Sequence, residues 1–240
     1  MKLSIIIPTY NESQRIKKTL LAIDEYLRRQ SYDSQILIAN DGSTDSTVRI
    51  VEQLQSRIHN LIILKNAQNH GKGFVVREGM LKATGEYRLF LDADNSTSLS
   101  AIEAFLKIIG QGSDVVIGSR ALPSSRVTAA QPPMRWLLGK LFHATAALVA
   151  GCRGFYDTQC GFKMFSAAAA QNIFSRCALN SFSFDVEALV VAQKLGYKIT
   201  EVPVEWKNDR HSTVSFSRMA AAMRDLFLIR SLHKDLKSSR

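Results

Sequence analysis

The chain has 240 residues, 46% of them hydrophobic, three cysteines and a formal net charge of +10. That length supports one sizeable domain with a proper core, or a domain with a modest appendage, and excludes a small stapled scaffold. Cys152, Cys160 and Cys177 form no CxxC pair and no even disulfide set, which points to a reduced, cytosolic setting.

Residues 3–7, LSIII, read as a buried strand stopped by Pro8. This opening run is too short for a signal peptide or a membrane span. Ile16, Leu20, Ile23 and Leu27 then recur at helical spacing. SQILIAN predicts a second strand, ended by DGSTDST, a turn followed by N-caps for a helix carrying Val48, Val51 and Leu54. NLIILKN predicts a third strand, and HGKGFVVREGMLKATG a helix opened and stopped by glycine. EYRLFLDAD is the fourth strand, SLSAIEAFLKII a helix and SDVVIGSR the fifth strand. Strands alternating with helices predict an α/β fold built on a doubly wound, mixed but mainly parallel sheet.

After Arg120 the rhythm changes. ALPSSRVTAAQPP is a loop with three prolines. MRWLLGKLFHATAALVAG reads as helical, with Trp136, Leu137, Leu141 and Phe142 beside Arg135 and Lys140. Its apolar part is interrupted by His143 and Thr145 and falls short of a transmembrane helix. GFYDTQCGFKMF is a turn into a short strand, FDVEALVVAQKLG a helix and KITEVPVEW a strand. In the tail, Phe216, Met219, Met223, Leu226 and Phe227 fall along one helical face, with Arg218, Arg224, Arg230, Lys234 and Lys237 elsewhere on it. The expected organisation is a domain over 1–206, with halves 1–120 and 121–206, and a basic amphipathic tail over 207–240.

The charge is concentrated. Segment 120–163 holds six cations and one anion, and segment 207–240 eight cations and three anions, so each carries +5 and the rest of the chain is neutral. Two such segments suggest an anionic partner. No zinc spacing, RNA-recognition signature or basic-aromatic stripe supports nucleic acid as that partner.

In LFLDADNSTS, Asp92 and Asp94 stand where a buried strand ends. Residues two apart on a strand project the same way. Two carboxylates that close repel, and a hard divalent cation, Mg2+ or Mn2+, resolves the repulsion. A simple turn is the competing reading, because Asp, Asn and Ser favour turns and caps. Ligands of doubly wound sheets sit at the carboxyl ends of strands, and PTYNE, NDGSTD, DADN and GSR all fall there. That convergence favours a site.

These motifs resemble the inverting nucleotide-sugar glycosyltransferases of family 2, with the GT-A fold. PTYNE is similar to that family's opening loop, NDGSTD to its second nucleotide-binding loop and LDAD to its metal-binding DxD. GSR, DTQCGFKMF, FDVEALVVA and EVPVEW resemble the polyprenol-phosphate sugar transferases, and among them the dolichyl-phosphate β-glucosyltransferase branch. Two departures stand out. Asn40 occupies the place of a usual aspartate, and DRHSTVSF lacks the branch's Gly-Ser-Lys. The branch often carries an N-terminal membrane helix, and none is legible here.

The resemblance implies a nucleotide-sugar donor, a polyprenyl-phosphate acceptor, a metal at Asp92 and Asp94, and a peripheral place on the cytoplasmic face of an anionic membrane. Pro8, Tyr10, Glu12 and Asp41 would line the nucleoside pocket, with Lys72 on the phosphates and Arg210 or His211 in place of the absent lysine. Arg120 and Arg135 suit bidentate binding of the acceptor phosphate. Asp157, Gln159 and Lys163 would support the acceptor loop, and Asp185 and Glu187 would orient Arg or sugar groups. A structural ion pair would look the same in sequence. A phosphate monoester, with its second pKa near about 6, is already ionised at neutral pH and needs no general base. The leading expectation is transfer of glucose from UDP-glucose onto a polyprenyl phosphate with inversion. The alternatives are a GDP-mannose donor, or a sugar-hydroxyl acceptor, for which Asp185 or Glu187 would be the base.

Overall fold

Apolar runs without alternation become strands covered on both faces. The computed structural model describes residues 2–128, 139, 141–207 and 216–236. In it β1 (Leu3–Thr9) is buried along its whole length, as a central parallel strand must be. Helix α1 (Ile16–Leu27) buries Ile16, Leu20, Ile23 and Leu27, the expected stripe. Then follow β2 (Ser34–Asn40), α2 (Thr47–Gln55), β3 (Leu61–Lys65), α3 (Lys72–Lys82), β4 (Tyr87–Leu91), α4 (Ala101–Gly110) and β5 (Val115–Ser119). The second half adds β6 (Arg126–Val127), a π-helical turn at Ala146–Ala150, β7 (Phe162–Ser166), α5 (Ala167–Phe174), α6 (Phe184–Lys194), β8 (Ile199–Pro203), β9 (Glu205–Trp206) and α7 (Phe216–Leu232). The strand expected over KITEVPVEW is thus two, parted at Val204 after Pro203, and β9 leaves the main sheet to pair with β6.

The seven-stranded sheet runs β3-β2-β1-β4-β7-β5-β8, and β7 alone is antiparallel to its neighbours. Chain order reverses between β1 and β4, so the ligand crevice belongs at their carboxyl ends. Pro8 helps open it. Thr9 O accepts from Asp41 N on the β2 side, so Pro8, one residue earlier, turns towards β4. There the β1–β4 ladder has already ended at Ile6↔Phe90, and the missing proline N–H leaves no bond unmade. Because β7 runs the other way, it delivers residues 157–161 to the same edge.

One core lies under α1, α2 and α4, the other under α3, α5, α6 and α7. Within the tail the described helix is α7, and on it Leu226 and Ile229 are fully buried in the second core. Burying a Leu or Ile contributes about 1.5–3 kcal/mol, so α7 is part of the domain. Phe227, Leu228 and Leu232 remain exposed on it.

Candidate active site

The first two polar clusters form one cradle. Asn11 takes a left-handed backbone, φ 55°, and its Oδ1 accepts from Thr44 N at 2.8 Å and Asp45 N at 3.3 Å. Asp45 returns the tie, accepting from Thr47 N and Ser13 N. Burial alone raises the Asp45 carboxyl, but these hydrogen bonds overcome it and lower it to about 2. Tyr10 stands open to solvent at 46% exposure, free to stack on a planar ligand. The Glu12 carboxylate holds Arg15 in a bidentate pair at 2.8 and 2.9 Å. Burial raises Glu12, Arg15 opposes, and the charges of Asp94 and Asp92 add to the rise.

Asp41, expected to line the nucleoside pocket, is tied to the loop that follows β3. Its carboxylate is buried and accepts from His70 N at 2.7 Å and Gly71 N at 2.9 Å. It anchors the loop that launches α3. Gly71 fits there with φ 104°, and a Cβ would lie 2.3 Å from Asn180 O.

Lys72, on the first turn of α3, donates to Asp92 Oδ1 at 2.6 Å. Its ammonium lies 5.2, 5.7 and 5.9 Å from the ring centroids of Phe90, Phe182 and Phe184. Burial lowers the ammonium, but the charges of Asp92 and Asp185 outweigh it and leave Lys72 raised. Asp92 is reached from the other side by Gly161, where a Cβ would stand 2.0 Å from Oδ2. Asp94 Oδ1 accepts from Ser96 N at 2.9 Å. Burial, and then the Asp92 charge, raise the Asp94 carboxyl. The edge thus offers hard oxygen donors under mutual repulsion, which fits a divalent cation such as Mg2+ or Mn2+. Among the described residues no group of three His, Cys, Asp or Glu forms a metal cage.

Arg120, at the end of β5, is locked to Asp157. Its Nε and one terminal nitrogen donate to the two carboxylate oxygens at 2.6 and 2.9 Å, and its backbone N adds a third bond at 3.0 Å. Its guanidinium also stacks over Trp206 at 5.3 Å. Asp157 is therefore a holder of Arg120. Burial opposes its ionisation, but the Arg120 charge wins and holds the carboxyl low. Gln159 N caps the same carboxylate at 3.1 Å. Glu201 accepts from Tyr156 N and Asp157 N and so steadies the whole loop.

Lys163, expected to support the acceptor loop, and Asp185 are both buried. They form an ion pair at 2.6 Å beneath the site, and Lys163 also donates to Cys160 O. At 1% exposure Lys163 has no surface with which to meet an acceptor. Glu187, fully buried, accepts from Ala178 N and Leu179 N and meets His233 at 2.9 Å. Arg135, Arg210 and His211 lie outside the described residues. Sequence reasoning missed Gly161, Glu201, Trp206 and the Phe182–Phe184 pair. Each acts through a neighbour distant in the chain, and only Gly161 carried a local signal, as a glycine entering a strand.

Residues 4–174 match the family model described as glycosyl transferase family 2. The chain is 35% identical over 242 residues to the dolichyl-phosphate beta-glucosyltransferase ALG5A of Trichomonas vaginalis, across 97% of this chain and 74% of that protein. It is 36% identical over 253 residues to the dolichyl-phosphate beta-glucosyltransferase of Saccharomyces cerevisiae, across 95% and 74%. Among solved structures it superposes on glucosyl-3-phosphoglycerate synthase from Mycobacterium tuberculosis in complex with Mn2+, UDP and glucosyl-3-phosphoglycerate. There the TM-score is 0.67 at 14% identity, covering 96% of this chain and 79% of that one.

Proposed function

Because the chain belongs to glycosyl transferase family 2, alongside the dolichyl-phosphate beta-glucosyltransferases, we propose that it moves glucose from UDP-glucose onto a dolichyl-type polyprenyl phosphate. The observation that supports the acceptor assignment is the commitment of the carboxylates around the expected acceptor loop. Asp157 is paired with Arg120, Asp185 with Lys163, and Glu187 is sealed by three donors. An acceptor that arrives already ionised fits such a site, and a sugar hydroxyl does not.

In the proposed reaction the acceptor phosphate oxygen attacks the anomeric carbon. The bond from that carbon to the β-phosphate oxygen breaks, and its electron pair leaves with UDP. One in-line displacement inverts the centre and gives a β-linked product. Lys72 neutralises charge on the diphosphate, Tyr10 stacks on the base, and Arg120 aligns the acceptor with the donors that Asp157 leaves free. When bound, Mg2+ or Mn2+ held by Asp92 and Asp94 supplies further positive charge against the leaving group.

The same reading puts the protein on the cytoplasmic face of an anionic membrane. Phe227, Leu228 and Leu232 are exposed on α7 among Arg224, Arg230 and Lys234, and Leu141 and Leu148 are exposed near the π-helical turn that α7 packs against. Apolar side chains rimmed by cations suit an interfacial contact. Among the described residues no helix is long and apolar enough to cross a membrane.

The test is a radiolabelled donor screen with a short polyprenyl phosphate, followed by NMR of the product. A β-glucosyl phosphate is expected, with an acidic limb of the pH–rate profile that follows the acceptor's own ionisation near about pH 6. An α-linked product, or a limb indifferent to the acceptor's pKa when chemistry limits the rate, would refute the mechanism.

A further inference from the structure

Between α5 and α6 the loop 178–183 touches the first turn of α3 on one side and the C-terminal helix on the other. Towards α3 it is in backbone contact. Gly73 N donates to Asn180 O at 2.8 Å, and a Cβ on Gly73 would lie 2.4 Å from Leu179 O. Arg77 donates to Leu179 O and to Asn180 Oδ1 at 2.9 Å. The loop's Phe182 ring then faces the Lys72 ammonium. Towards α7, Ser181 Oγ donates to the buried Asp225 carboxylate at 2.6 Å, and Ser183 N donates back to Ser181 Oγ at 3.2 Å. Glu187 grips the loop's first two backbone N–H groups and meets His233, just past α7, at 2.9 Å.

We infer that Asp225 and His233 are positioning residues for Lys72. They hold the 178–183 loop against the start of α3, so the seating of the C-terminal helix sets the place of the donor lysine. The links are short hydrogen bonds, buried at Leu179–Glu187 and Glu187–His233 and part-buried at Ser181–Asp225, together with the backbone contact at Gly73, and packed contacts transmit such displacements rather than absorb them. The inference rests on the reading of Lys72 as the diphosphate ligand.

The experiment measures UDP binding by calorimetry in magnesium buffer, the KM for UDP-glucose and for a short polyprenyl phosphate, kcat, and thermal melting. Ser181→Ala and Asp225→Ala should weaken UDP binding and raise the UDP-glucose KM by roughly three- to thirtyfold, the range of couplings carried through packed side chains. The acceptor KM should stay within about twofold of wild type on the same grounds. Asp225→Asn keeps an acceptor oxygen for Ser181 and should restore donor binding. His233→Gln, whose amide still reaches Glu187, should outperform His233→Ala. Should Asp225→Ala fail to fold, Ser181→Ala decides, since it leaves α7 untouched. Wild-type UDP affinity in Ser181→Ala beside a clear loss in Lys72→Met overturns the clamp and spares the lysine. No loss in Lys72→Met overturns the lysine reading and the clamp with it. Equal damage to both KM values shows a structural tie only and also overturns the proposal.

Discussion

Replacing Gly161 by alanine should disable the site while leaving the fold standing. The new Cβ would lie 2.0 Å from Asp92 Oδ2 and 2.4 Å from its Cγ, where ordinary contacts begin at 3.4 Å. Either the carboxylate or β7 must give way by more than 1 Å. Asp92 is bound at 2.6 Å to Lys72, and its backbone N donates to Gly161 O at 3.2 Å, so neither partner moves alone. Breaking a charged hydrogen bond costs about 1.5–3 kcal/mol, and a misplacement of about 1 Å at a reacting centre costs about a hundredfold. The expected fall in kcat/KM is therefore on the order of 10²–10³. Overpacking costs about 1–3 kcal/mol, which in a chain of this size lowers Tm by less than about 12 °C. The control is Gly110→Ala, at the end of α4 with nothing within 4 Å of its Cβ, which should be neutral or mildly stabilising. Turnover of radiolabelled UDP-glucose and melting by circular dichroism read both effects. A Gly161→Ala enzyme with wild-type kcat/KM would show that Asp92 is not held where the chemistry needs it.

Asp157→Asn leaves the largely buried Arg120 without its counter-charge and should cost about 3 kcal/mol, or roughly 6–12 °C in Tm, together with acceptor use; an unshifted melt would refute the pairing. Glu201→Gln removes a carboxylate that holds Tyr156 N and Asp157 N, and should raise the polyprenyl-phosphate KM severalfold with the UDP Kd unchanged, the opposite split counting against it. Asp45, depressed to about 2 in the folded protein, contributes stability that is present above its ordinary value of 3.8 and is lost as pH falls through about 2. The Tm gap between wild type and Asp45→Asn should accordingly narrow between about pH 4 and pH 2, and a constant gap would refute the linkage.

The first half of the chain was legible because parallel strands, buried on both faces, end abruptly in polar loops. PTYNE, NDGSTD, DADN and GSR each lie at a carboxyl edge, as expected. What lay hidden was set by distant partners. GFKMF reads as any short strand, and its antiparallel insertion between β4 and β5 follows from pairing with residues far along the chain. Lys163 and Asp185 carry the residue types of ligands, but only their burial and mutual distance identify a structural pair. Asp41 sits in a nucleotide-loop motif, but its oxygens are taken by the backbone of the next loop. Sequence reasoning assigned no element to the run AAAAQNIF, which forms α5.

The charges at the crevice argue for the metal and supply its sharpest test. Four cations near the edge each face a carboxylate: Arg15 with Glu12, Lys72 with Asp92, Arg120 with Asp157, and Lys163 with Asp185. Asp94 has a hydrogen bond from Ser96 N and, among the described residues, no ion pair, so it adds uncompensated negative charge to the edge. A nucleoside diphosphate brought to such an edge meets repulsion, and a divalent cation reverses the sign. Asp94→Asn removes the repulsive charge and a metal ligand together. In chelator, this variant should bind UDP more tightly than the wild type does, by on the order of 1 kcal/mol or about fivefold at low salt. In magnesium or manganese the order should invert, with wild type binding UDP more tightly and Asp94→Asn losing turnover by orders of magnitude. Calorimetry under the two conditions separates the terms. A variant that binds UDP more weakly than wild type in chelator would mean that Asp94 does not repel the diphosphate, and the case for a metal at this edge would lose its electrostatic ground.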